Sequence, residues 1–183
     1  MEYNMKIYRI YSSKHHKTYH PEPYTTKNSN ACHFDGNIID NWKPVHLTTH
    51  APEPQMVEEL ADLSFVCIDT PLLKPNALKV LYPYLKNYVQ FLETTTDFGN
   101  VYLMNVININ DCVNYDECDI VYFPSSDRIM RFEKYSFFTA QINEVEIFKI
   151  PDARNTFPFV TEGLKNIIEE NGLLGFRFEL IYG

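Results

Sequence analysis

The chain has 183 residues, of which 45% are hydrophobic and 22% charged, and it carries a formal net charge of -8. That length can bury one substantial core, and the negative field argues against a nucleic-acid partner and for a basic protein one. No apolar run approaches membrane-spanning length, so no membrane partner is expected.

The opening "MEYNMKIYRIYSS" is interrupted by Lys6 and Arg9, so it does not resemble an export signal. The expectation is a soluble protein of the cytoplasm, neither exported nor anchored. Within it, "MKIYRIY" sets Ile7 and Arg9 against Tyr8 and Ile10, the pattern of a strand with both faces at least partly covered. Residues 12–54 hold all six histidines and five prolines, and they predict loops and short strands, with a turn at Asp35-Gly36 and Trp42 as an anchor to the core. The chain is accordingly divided into a loop-rich lobe, residues 1–64, packed on a main domain, residues 65–183.

"FVCID" predicts a short buried strand. A helix is expected to start near Pro75 and to stop before Pro83, since proline is tolerated in a first turn and ends a helix elsewhere. "NYVQFLE" and "VYLMNVININ" predict a hairpin joined by the longer loop "TTTDFGN", and "DIVYF", "RIMRFEKYSFF" and "EVEIFKI" predict further strands. Thr161 is placed as the N-cap of a last helix whose apolar stripe is Leu164, Ile167 and Ile168, with Gly172 stopping it. After Gly175, which permits a tight backbone approach, Phe176, Phe178, Leu180 and Tyr182 alternate in a strand expected to pair inside the sheet. The fold class is therefore α+β: a mostly antiparallel sheet with a few helices packed on it, and a C-terminal helix followed by a terminal strand.

Chemistry is sparse. His15, His16 and His20 cluster, and His46 and His50 stand four apart, but "HLTTH" has Leu47 where a zinc protease carries glutamate, and no third ligand has recognisable spacing. No metal, cofactor or catalytic residue is assigned. Cys112 and Cys118 sit beside acids, which raise a thiol's pKa and suppress nucleophilicity. No GxSxG, GxGxxG or GxxxxGK motif occurs. The acidic stretch "NDCVNYDECD" places Asp111, Asp116, Glu117 and Asp119 within nine residues. It is a solvated loop or, if it has a role, an anionic patch that steers a basic protein.

Three segments, "DTPLLKPNALKVL", "VYLMNVININDCVNYDECD" and "EIFKIPDARNTFPFVTEGLKNIIEENGLLGFRFELIY", together resemble the Imm11 immunity family. The matching positions are Asp69, Leu72 and Leu73; Tyr102, Asn105, Val106, Asp111 and Asp116; Ile147, Phe148 and Lys149; and Gly172, Gly175, Phe176 and Phe178. The resemblance covers roughly residues 65 to 182, with Met104 where a leucine is more usual and Pro75 where a small polar cap is expected. It implies an antidote that binds and blocks a cognate bacterial toxin encoded by a neighbouring gene, with no catalytic residues and with Asp111, Asp116, Glu117 and Asp119 as candidate toxin-binding groups. Two other classes stay open: a metal-dependent hydrolase using His15, His20 and His33 with Asp35 or Asp40, and a small-ligand-binding regulatory module with an aromatic pocket.

Overall fold

The computed structural model describes residues 5–50, 61–67 and 69–183. In chain order the elements are β1 (Ile7–Ser12), β2 (Thr18–Pro21), α1 (Thr26–Asn30), β3 (Leu47–His50), β4 (Leu63–Val66), β5 (Thr70–Leu73), α2 (Pro75–Leu85), β6 (Val89–Thr96), β7 (Gly99–Val106), β8 (Asp119–Tyr122), β9 (Ile129–Lys134), β10 (Ile147–Phe148), β11 (Phe159–Thr161), α3 (Glu162–Glu170) and β12 (Phe176–Tyr182). The class is α+β, mostly antiparallel, with a C-terminal helix and then a strand, as expected.

Six strands close into a barrel in the order β2-β3-β6-β7-β5-β4, four form an open sheet in the order β10-β11-β1-β12, and among the described residues β8 pairs only with β9. Alternation along the strands builds three cores. Leu72, Leu92, Val101 and Leu103 point into the barrel with Tyr19, Leu47 and Val66. Their neighbours Leu73, Met104 and Val106 point outward, onto Ala77, Leu81 and Leu85 of α2. That same cluster takes in Ile10, Val160 and the α3 residues Leu164 and Ile168, so barrel and sheet share one apolar core. On the other face of the sheet, Ile7, Phe148 and Phe159 lie under Cys112, Val113, Tyr135 and Phe137. With Ile7 on one face and Tyr8 and Ile10 on the other, β1 is covered on both sides.

Strands from before and after residue 64 share both sheets. β1 runs between β11 and β12, β2 and β3 complete the barrel, and residues 64 and 65 both lie within β4. Trp42 ties the intervening loop down by donating its indole N–H to the Glu93 carbonyl at 2.7 Å and packing edge-on to Phe34.

Several elements differ from expectation, each for a local reason. The helix α2 starts at Pro75 but continues through Pro83 to Leu85. Pro83 lies in the last turn, where it forfeits a single backbone bond, and the buried Leu81 and Leu85 hold that turn in place. The preceding "TPLL" is strand β5. Thr94, Thr95 and Thr96 belong to β6, so the hairpin loop shrinks to Asp97 and Phe98, with the Thr96 hydroxyl accepting from the Phe98 N–H and donating to the Gly99 carbonyl. The "FVCID" strand ends at Val66, Cys67 turns the chain, and Ile68 lies outside the described residues. "EVEIFKI" forms strand only over the two residues of β10, with Lys149 bridging Ile109, and "RIMRFEKYSFF" forms strand only over β9, with Phe137 bridging Val113.

Thr161 precedes α3, but its hydroxyl accepts from the Glu146 N–H at 2.9 Å instead of capping the helix; the Glu162 N–H bonds the Lys6 carbonyl. Gly172 ends α3 at φ +64, with the Leu173 N–H reaching back to the Ile168 carbonyl. At Gly175 the approach is closer still: a Cβ there would sit 1.7 Å from the Leu63 carbonyl oxygen. The terminal strand β12 is an edge strand rather than an interior one, paired with β1 alone among the described residues.

Candidate interaction surface

After β7 the chain crosses the sheet, and its alternation of apolar and acidic residues decides what faces where. Cys112 and Val113 are buried in the core beneath the crossing, while Asp111, Asp116, Glu117 and Asp119 are all exposed. Backbone bonds fix the path: Asn110 N–H to Lys149 O, Phe138 N–H to Cys112 O, and Asn114 N–H to Ser136 O. Tyr115–Glu117 form a single 3-10 turn. Below it the Cys118 thiol donates to the Asn114 carbonyl at 3.2 Å and accepts from the Ser136 N–H. Glu117 accepts from the Ser136 hydroxyl at 3.0 Å, and the Tyr115 hydroxyl donates to Asp152. Burial, and then that carboxylate, raise the Tyr115 phenol above its ordinary pKa. Of the four predicted acids, Asp116 and Glu117 stand on this firmly held turn, Asp119 opens β8 directly after it, and Asp111 lies earlier on the crossing segment.

Directly after this turn comes the β8–β9 ribbon. It belongs to neither larger sheet, and it exposes large apolar side chains: Tyr122 at 48%, Phe123 at 38% and Met130 at 41%. A lone two-stranded ribbon is marginal in water, so its attachment matters. Phe132 stacks on Tyr135 with centroids 4.6 Å apart, which roots the ribbon in the core beneath the crossing segment. At its tip Arg128 lies over the Phe123 ring at 5.0 Å. Exposed aromatic side chains beside carboxylates combine the two ingredients of a protein-binding patch, apolar anchors and a steering charge. A cleft of about 450 Å3 opens between this region and the end of β12, lined by Glu117, Lys134, Tyr135 and Ser136 on one side and Leu180 to Gly183 on the other.

The acids were legible as charge. The apolar members, Tyr122, Phe123 and Met130, were not: "DIVYF" and "RIMRF" have ordinary strand composition, and only the absence of a covering layer among the described residues turns their side chains outward.

His20, His33 and His46 each have different side-chain partners. His33 Nδ1 lies 2.9 Å from Asp69 Oδ1, and His46 lies between Thr95 and Asp97. His20 meets Tyr24 edge-on. Among the described residues no three of His, Cys, Asp and Glu converge as a metal site. His20, Tyr24, Ser29, His33 and Cys67 do border one cleft of about 540 Å3 beside β2. The Ser29 hydroxyl and the Cys67 thiol lie 3.5 Å apart there, and burial, more than the nearby Asp69, pushes that thiol's pKa up. Buried Cys112 is likewise raised, to about 12, chiefly by desolvation and then by Glu146 and Asp111. Neither thiol has the depressed pKa of an activated nucleophile.

No protein-family model matches the chain, and no curated protein matches it either.

Proposed function

We propose that this chain is an immunity-type antidote: it binds a toxin protein encoded by a neighbouring gene and blocks it by contact, in the cytoplasm, without chemistry of its own. The observation that carries this reading is the juxtaposition of the exposed Asp116, Glu117 and Asp119 with the exposed Tyr122, Phe123 and Met130 of the β8–β9 ribbon. Carboxylates speed encounter with a basic surface, and aromatic side chains supply most of the energy once it is docked. The resemblance of residues 65 to 182 to the Imm11 family points the same way. Nucleic acid is disfavoured as a partner by the net charge of -8.

The test is co-expression of the neighbouring open reading frame with and without this chain. Growth rescue together with co-purification supports the reading. Equal survival when this gene is deleted ends it.

One observation favours a second reading, a small-ligand-binding module: the cleft beside β2 has the size of an organic-ligand site and is walled by the rings of His20 and Tyr24. A metabolite screen by thermal shift separates the two, because a protein-only antidote gains no stability from any metabolite.

A further inference from the structure

The terminal strand β12 offers its outer edge to nothing among the described residues. It pairs with β1 on one side, from Ser12↔Phe176 to Ile7↔Tyr182, and ends the sheet on the other. Edge strands of this length are usually blunted by like charges or proline, because a bare edge recruits another strand. β12 has no proline, and its exposed charges are of opposite sign: Arg177 and Glu179, two residues apart on one face. Both lie on the face of Tyr11 and Arg9, their partners across the ladder, and the Arg177 guanidinium rests over the Tyr11 ring at 4.8 Å. On the opposite face, Leu180 is half exposed, and just before the strand Leu174 is more so.

We propose that two copies of this chain join through this edge, β12 antiparallel to β12, about a two-fold axis at Phe178. The argument is one of register. In a two-fold antiparallel pair, residues directly opposite share a face, so the axis must pass through a residue. An axis at Glu179 sets the two glutamates against each other, and one at Arg177 does the same with the arginines; like charges directly opposite are destabilising. An axis at Phe178 sets Arg177 opposite Glu179 twice. The same register sets Phe176 against Leu180, giving the exposed Leu180 an apolar neighbour across the strands. Charge and apolar pattern thus select one arrangement, and the four-stranded sheet becomes an eight-stranded one.

The experiment uses the purified chain alone, with no toxin, so its outcome is separate from that of the proposed function. Light scattering over a wide concentration range is expected to give twice the chain mass, falling toward one on dilution. Glu179→Arg places arginine against arginine and is expected to raise the dimer dissociation constant roughly tenfold or more. The double change Arg177→Glu with Glu179→Arg restores opposite charges and is expected to return the dimer to near wild-type affinity. A wild-type chain that stays monomeric at every concentration overturns the proposal. So does a dimer indifferent to Glu179→Arg, or a double variant no tighter than the single one.

Discussion

Lys149 Nζ donates to the Phe34 carbonyl at 2.7 Å, across 115 residues of sequence, and to the Arg154 carbonyl at 2.7 Å. The ammonium is buried, and burial pushes its pKa down while Asp69 and Asp35 pull it up. It links the end of β10 to the loop that enters the barrel. Lys149→Met keeps the aliphatic stem but leaves two carbonyls without their donor. Urea unfolding is expected to show a loss of about 2–4 kcal/mol. A loss under about 0.5 kcal/mol means the lysine is not holding these segments together.

Gly175 combines a φ of +126 with a backbone contact to Leu63 that has no room for a side chain. Gly175→Ala forces either that contact or the turn to open, and a cost of about 3 kcal/mol or more is expected. Gly172→Ala, strained in φ but with open space around it, is expected to cost less. Equal melting temperatures for the two variants contradict the packing argument.

Cys112 keeps its proton in the fold to about pH 12, against an ordinary value of 9. A group whose folded pKa is raised stabilises fully below the unfolded value and loses that contribution as pH climbs through the folded one. The melting-temperature gap between wild type and Cys112→Ala is therefore expected to be widest below pH 9 and to narrow from there toward pH 12. The same burial protects the thiol from alkylation at pH 8 until the protein unfolds. Stoichiometric labelling of native Cys112 at that pH excludes this account.

On the ribbon, Tyr122 and Phe123 are exposed, so the paired change to serine is expected to move stability by no more than about 0.5 kcal/mol. If they anchor the toxin, affinity for it falls at least tenfold, about 1.4 kcal/mol. Calorimetry on both properties separates the roles: unchanged affinity removes the ribbon from the interface.

The elements legible in the sequence were those with local causes. The two-sided pattern of β1, the apolar stripe of α3, the stop at Gly172 and the close approach at Gly175 all depend on near neighbours. The barrel was not legible, because β2 and β3 are four residues each in a histidine- and proline-rich stretch, and their pairing depends on β4 and β6 far along the chain. Pro83 misled because its position in the last turn is known only once Leu85 is seen to be buried. The edge position of β12 is a property of sheet order, to which alternation is blind. At the candidate surface the charges were visible and the exposed aromatics were not, since exposure is set by what else covers a strand.

The most direct measurement is the association rate with the neighbouring gene's product, by stopped flow at low salt, for wild type and for the triple change Asp116→Lys, Glu117→Lys, Asp119→Lys. Contact through this acidic surface predicts a fall of roughly tenfold or more, shrinking as salt is added. An identical rate at low salt contradicts it.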